Sequence, residues 1–334
     1  MADGARDEGI FVAWTRYIRR PESMQPFFGY ELFFLPAASK GLLQKFLVYL
    51  ANSMKTVLLI LRHRPNDLWI QLAPVFPLYI AVLAKFLISD LRLVADCHNS
   101  MFGARWAGFP FANRCLNRCD AVLVHNEEVF RSASRAGIAP DALLLLETRP
   151  AQLDCSLVDT TPARELYSDP WVLVPTSFSG DEPISALIQA ARLAPEITFV
   201  VTGDPRRADG LHDLTDRPEN FTLTGYLSKA ELDQHLCAAE VIMGLTTADD
   251  VQLSVANEAT GAEKAMVISD TPLLRRMFDS GAVYVDGMDP MAIVDGVREA
   301  LNSREALVKG TRELRERRAQ RWLGQARALV ARLN

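Results

Sequence analysis

TTADDVQLSVANEATGAEKAMVISD, residues 246–270, decides how the rest of this chain is read. It predicts loop, short helix, turn and strand. Asp249 and Asp250 suit a helix start, because their carboxylates accept unpaired first-turn N–H groups and offset the positive end of the helix dipole. A helix over 252–259 follows. Gly261 supplies the turn, and AMVIS at 265–269 is the short apolar run of a buried parallel strand. Asp270-Thr271-Pro272 opens a further helix, with an N-cap just ahead of a first-turn proline. Glu258, at the inner end of the first helix, can bridge a vicinal diol such as a ribose; the alternative is an exposed helix glutamate.

Working outward, 334 residues are enough for two domains, each with its own core. An apolar fraction of 49% and a charged fraction of 23% belong to a globular chain. The five cysteines include no CxxC pair, which predicts unpaired thiols and no structural zinc, and fits a reducing cytoplasm. The charged opening MADGARDEG lacks the apolar core of a signal peptide. Residues 1–165 carry 18 Lys and Arg against 16 Asp and Glu, and the remainder 18 against 25. With a pI of 5.7 and an acidic second half, nucleic acid is not expected as a partner. The mildly basic first half allows contact with an anionic bilayer.

Strands are predicted over 10–14, 67–73, 91–95, 121–124 and 142–146, alternating with helices over 42–61, about 77–88, 109–119 and 127–136. A second series brings strands at 171–174, 198–201, 221–224 and 241–245, with helices at 184–193, 229–238 and 289–302. A charged helix runs from 303 to 333. Such alternation predicts two doubly wound parallel sheets. Residues 68–88 are long enough to cross a bilayer, but two prolines and Lys85 interrupt them, so a strand with its crossover helix is the reading adopted. The linker is placed between Pro150 and Pro170, where Asp, Thr and Pro interrupt the periodicity, and the chain is divided at the middle of that stretch, giving domains over 1–160 and 161–305 and a terminal helix over 306–334 that packs back on the first domain.

Arg16, Arg19 and Arg20 share the loop after the first strand, where guanidinium groups suit a diphosphate or carboxylate; a solvated loop is the alternative. Asp96, His98, Asn99 and Ser100 follow the strand at 91–95, where open α/β sheets place their ligands; a buried structural Asp or His is the alternative. No G-x-G-x-x-G turn follows the first strand, and no P-loop is present.

Asp250 and Glu258-Ala259, followed by Met266-Val267-Ile268, resemble the donor segment of GT-B glycosyltransferases, from which Gln252, Glu263 and Ala265 depart. Gln71-Leu72-Ala73-Pro74, Asp96-Cys97-His98-Asn99 and Thr176-Ser177-Phe178-Ser179 with Asp181-Glu182 resemble one branch of them, the chitobiosyldiphosphodolichol β-mannosyltransferases and their bacterial relatives. The resemblance covers about residues 70–270. It implies two Rossmann-like domains facing across a cleft, acceptor on the first and nucleotide-sugar on the second, and transfer with inversion. Donor contacts are then expected from Ser177, Phe178, Ser179, Gly203, Tyr226, Leu227, Thr246, Thr247, Asp250, Ser254 and Glu258. Backbone N–H groups around 177–180, at the entry to a helix, are expected to receive the diphosphate.

Inverting transfer needs a base for the acceptor hydroxyl. Asp96 is the expected base and His98 the runner-up. Arg16, Arg19, Arg20 and Asn99 are expected on the acceptor or its phosphates. No cofactor and no metal are expected, since the nucleotide-sugar (UDP or GDP) is a substrate. The resemblance, with apolar runs such as 42–61, points to a lipid-diphosphate-linked glycan acceptor and peripheral contact with the cytoplasmic face of a membrane, in polysaccharide assembly. Two rivals stand beside this reading: a sugar-nucleotide epimerase of GT-B type, and a non-catalytic partner that binds sugar nucleotides.

Overall fold

The computed structural model describes residues 9–37, 41–103, 106, 108–151 and 153–333, so most of the charged opening and the side chain of Asn99 lie outside the described residues. The chain divides into two compact units. The first takes residues 1–149 and 320–334, the second residues 150–319.

In the first unit the described elements run β1 (Gly9–Ala13), α1 (Arg19–Phe28), β2 (Glu31–Phe34), α2 (Leu42–His63), β3 (Asp67–Leu72), α3 (Phe76–Leu87), β4 (Arg92–Cys97), α4 (Ala112–Leu116), β5 (Ala121–Val124), α5 (Glu127–Arg135) and β6 (Leu143–Leu145). All pair in parallel, in the order β2-β1-β3-β4-β5-β6. Alternate strand residues serve opposite faces. Ile10, Val12, Leu68, Ile70, Leu93 and Ala95 join a core shared with Ile60 and Leu78. Phe11, Trp69 and Val94 meet Met24, Tyr30, Trp322 and Leu329 on the other face.

The second unit runs α6 (Thr161–Arg164), β7 (Trp171–Pro175), α7 (Ile184–Leu193), β8 (Thr198–Thr202), β9 (Phe221–Gly225), α8 (Lys229–Ala238), β10 (Val241–Gly244), α9 (Ser254–Gly261), β11 (Ala265–Ser269), α10 (Pro272–Met277), β12 (Ala282–Val285) and α11 (Pro290–Asn302). A last helix, α12 (Arg304–Leu333), begins here, and its final part belongs to the first unit. The sheet is parallel, ordered β12-β11-β10-β7-β8-β9.

Four expectations change. The boundary falls after Arg149 rather than near 160, because the segment beyond it is anchored in the second unit: Ala151 lies against Gly261, and Leu153 and Ala163 are buried in its core. Residues 19–28 form α1 rather than loop; Pro21 stands in the first turn, where no N–H is needed, and Pro26 near the end. Strands β2 and β12 escaped prediction, each being four residues long at a sheet edge. Cys155 and Cys237, expected as free thiols, form a disulfide between Cα atoms 5.3 Å apart and 82 residues distant in sequence. Folding, not local spacing, creates that pair. Cys97, Cys115 and Cys119 remain thiols.

Candidate active site

A parallel α/β sheet gathers its ligands at the carboxyl edge, where successive crossovers leave in opposite directions. In the second unit that reversal lies between β7 and β10. The loops after these strands are tied together at the switch. Asp181 accepts from Ser179 Oγ (2.6 Å) and Thr246 Oγ1 (2.8 Å), and its carbonyl accepts from Thr247 N (2.7 Å) and Thr247 Oγ1 (3.1 Å). Burial alone would raise the Asp181 carboxyl, but the Ser179 and Thr246 hydroxyls outweigh it and hold the group below its usual range. Thr246 N in turn donates to Ser269 Oγ (2.9 Å), which joins β11 to the same edge.

The loop does not offer its amides to a ligand, as the sequence suggested. Glu182 accepts from Ser177 N (3.0 Å), Ser177 Oγ (3.2 Å) and Ser179 N (3.0 Å), so a carboxylate of the chain itself fills that cradle. Phe178, expected on the donor, is buried in the core of the unit. Gly203 follows β8 at φ 132°, a region open to glycine, and a side chain there would collide with the Thr176 carbonyl. Its role is to let two strand ends pass closely. Tyr226 is 75% exposed after β9, and Leu227 is half-buried beside it.

Helix α9 begins at Ser254, and its N-cap Leu253 makes no side-chain capping bond. Asp249 and Asp250 therefore stand in an exposed turn before the helix instead of capping it, and the helix ends at Gly261 rather than before it. Ser254 is exposed, while Glu258 is half-buried in the second turn and its carbonyl accepts from Ala262 N (2.9 Å).

The first unit alters the expected chemistry most. Asp96 lies inside β4, not beyond its end, and is fully buried. Arg20 Nε reaches its two oxygens at 3.1 and 3.0 Å, and Arg20 Nη2 reaches Oδ1 at 2.9 Å. The same guanidinium donates to the carbonyls of Leu146 and Glu147, both at 2.9 Å. Burial would raise the Asp96 carboxyl; the Arg20 charge, helped by His125, holds it well below the usual carboxylate range. Fully buried, with both oxygens held by Arg20, this carboxylate is not within reach of an acceptor hydroxyl, so the expectation that Asp96 is the base does not stand. Arg20, expected on an acceptor phosphate, is spent on Asp96. Arg16 is exposed on the loop, and Arg19 is half-buried at the start of α1.

His98 follows β4, half-buried at the open end of this buried group. Its ring meets that of His125, just past β5, at 5.0 Å between centroids and 71° between planes. His125 was not foreseen, although His-Asn-Glu-Glu after an apolar four-residue strand is the same strand-end signal that pointed to His98. Its Nε2 stands 3.5 Å from Asp96 Oδ1 and has no hydrogen-bond partner among the described residues. Burial, with the neighbouring His125, pushes the His98 imidazole down to about 3, against the pull of Asp96. His125 is lowered by burial and by Arg20. At neutral pH both rings are uncharged.

The long apolar helix turns its apolar face outward. Helix α2 turns Asn52, Thr56 and Ile60 inward, where Asn52 donates to the carbonyls of Leu35 and Pro36 and Thr56 accepts from Trp14 Nε1. Leu42, Phe46, Leu50, Met54, Leu58 and Leu61 are more than half exposed. Among the described residues no helix is long and apolar enough to cross a membrane.

No family model matches the chain, and no curated protein matches it in sequence. Among solved structures it is similar to Anabaena HepE in complex with UDP and glucose, at 13% identity and a TM-score of 0.68 over 97% of this chain and 100% of that one. It is similar to sucrose-phosphate synthase from Thermosynechococcus elongatus at 15% and 0.64, over 90% and 83% of the two chains. A glycosyltransferase from Rickettsia africae matches at 10% and 0.60, over 96% and 94%. At such identities the likeness is one of architecture: with its two parallel six-stranded sheets and flanking helices, this chain has the GT-B fold.

Proposed function

We propose that the protein is a glycosyltransferase that moves a sugar from a nucleotide-sugar, a UDP-sugar in the first instance, to a glycan acceptor. The observation that carries this reading is the carboxyl-edge switch of the second unit, where the loops after β7 and β10 are locked together by Asp181 and followed by α9 with Glu258. HepE, similar in fold over almost the whole chain, has been crystallised with UDP and with UDP-glucose. The donor lies at that switch, its ribose diol on Glu258. With the amides of Ser177 and Ser179 given to Glu182, its diphosphate is left to the positive first turn of α7.

His98 of the first unit is the base: its uncharged imidazole stands half-buried past the end of β4, where an acceptor hydroxyl can reach a ring nitrogen, whereas both oxygens of Asp96 are buried on Arg20. It takes the proton of the acceptor hydroxyl as that oxygen bonds to the anomeric carbon and the nucleoside diphosphate leaves, which inverts the centre. Hydrogen-bond donors rather than a metal stabilise the leaving group. The acceptor is a lipid-diphosphate-linked glycan, as in the bacterial relatives of the mannosyltransferase branch.

Helix α2 supports peripheral binding at the cytoplasmic face of a membrane. Its sequence contains no acidic residue, its outward face is apolar, and exposed Lys55, Arg62 and Arg64 flank that face. Amphipathic helices of this composition lie in the interface of anionic bilayers. Thermal shift and radiolabelled transfer with UDP-, GDP- and dTDP-sugars test the activity. A UDP-sugar should raise the melting temperature and label a lipid-linked acceptor, and failure of every nucleotide to bind would overturn the reading.

A further inference from the structure

The face of β3, β4 and β5 that meets α1 carries a layer unlike a core. Asp96 and His125 are at least nine-tenths buried, Arg20 closes the layer from α1, and His98 forms its half-open end. The fold buries an imidazole whose Nε2 has no hydrogen-bond partner among the described residues, with Asp96 Oδ1 3.5 Å away, an arrangement that costs about 1–3 kcal/mol per orphaned group. A buried polar atom left without a partner calls for a reason other than stability.

The geometry supplies one. Asp96 cannot move, because three guanidinium contacts of 2.9–3.1 Å pin it to Arg20, which is itself fixed to two carbonyls of the chain. His125 stands between that carboxylate, 3.5 Å away, and the ring of His98, on which it packs edge to face. We propose that His125 is a positioning residue for His98: packed beside the fixed Arg20–Asp96 pair, its ring sets the plane of the His98 imidazole. The inference rests on the transferase reading above and gives its base a partner. The charged and titratable groups facing His98 are His125, Asp96 and Arg20, from the end of β5, from β4 and from α1. Burial and the Arg20 charge hold His125 below the ordinary imidazole range, so its charge changes on the acid side, as that of His98 does. Two imidazoles 5 Å apart in a poorly solvated site cannot both be charged without mutual cost, so each protonation opposes the other.

The test uses the full chain with ¹³C-labelled histidine, whose five ring signals are assigned by single substitution and titrated from pH 8 through the acid range around pH 3 in which His98 takes up its proton. In His125→Phe, which keeps an aromatic ring but no nitrogen, His98 should titrate about one to two pH units higher than in the parent. In His98→Ala, His125 should move upward by a similar amount, since the coupling is reciprocal. The acid limb of kcat/KM in His125→Phe should follow the His98 titration while KM for the donor stays constant. An unmoved His98 in folded His125→Phe would overturn the proposal, and if that variant does not fold, an unmoved His125 in His98→Ala does the same. Unshifted titrations in an active enzyme would remove the role of His125 alone. Shifted titrations in a protein without transfer activity would remove the transferase reading and the role with it.

Discussion

Asp96→Asn separates structure from chemistry at this site. The substitution keeps the shape of the side chain and one oxygen acceptor, but it deletes the charge opposite Arg20, which is 4% exposed. Breaking a buried ion pair by neutralising one partner costs about 3–5 kcal/mol. The lower end applies here, because the guanidinium keeps the carbonyls of Leu146 and Glu147. For a unit of this size, about 3 kcal/mol lowers the melting temperature by roughly 6–12 °C and the urea midpoint by at least about 1 M. Urea unfolding of the full chain, followed by the fluorescence of the buried Trp14 and Trp69, reads the first unit. The pH dependence has a defined sign. The folded carboxyl is held below its unfolded value, so the unfolded chain binds more protons as pH falls below about 4, and the stabilisation from Asp96 is present above that pH and lost beneath it. The parent's advantage over Asp96→Asn should therefore be constant above about pH 5 and shrink below about pH 4. Replacing the pair by Arg20→Met with Asp96→Leu should recover much of the loss, since apolar residues of similar volume leave no buried charge. A loss under about 1 kcal/mol for Asp96→Asn, or no recovery in the double variant, would show that the pair is not the anchor of this layer.

The lowered imidazoles make a separate prediction: below about pH 6.5 the unfolded chain takes up protons that folded His98 and His125 refuse, so the unfolding free energy from urea titrations at pH 7, 6 and 5 should fall toward acid, with His98 approaching about 1.4 kcal/mol per pH unit and His125 adding in the same direction, and should fall by less in His98→Ala. Leu50→Glu and Leu58→Glu on the outward face of α2 should each weaken partition onto anionic vesicles by about 10–100-fold in flotation, leaving the melting temperature unchanged. Gly203→Ala places a side chain against the Thr176 carbonyl at a positive φ, and should destabilise the second unit by more than about 2 kcal/mol in denaturant titration. Glu258→Gln should weaken UDP binding by about 1–3 kcal/mol in calorimetry.

The fold was legible where one rule decides it. Runs such as AVLV at 121–124 and AMVI at 265–268 are too short for helices and apolar on every residue, as strands buried on both faces must be. Alternating them with helical segments leaves a parallel sheet as the outcome. Helix α1 was hidden because its prolines, Pro21 and Pro26, read as breakers, while the causes of its helicity are distant: Met24 buried under the sheet and Arg20 bound to a carboxylate 76 residues away. The disulfide was hidden for the same reason.

The site was half legible. Sequence position marks the ends of strands, and the ends of β4, β7 and β10 are where Asp96, Ser177 and Thr246 were sought. It does not say which way a side chain turns or what already holds it, and both decide chemistry. Asp96 and His98 are two residues apart and share a face of β4's end, yet the first is silenced by an arginine and the second is left open to accept a proton. Glu182 likewise sits in the motif that resembles a donor loop, and occupies the amides that the motif was expected to offer. Helix α2 inverts the ordinary rule altogether: Asn52 and Thr56 face inward because Leu35, Pro36 and Trp14 present them with partners, so the leucines of the same helix have nowhere to go but out. A hydropathy pattern records that a helix has two faces, and only the groups waiting in the core determine which of them is buried.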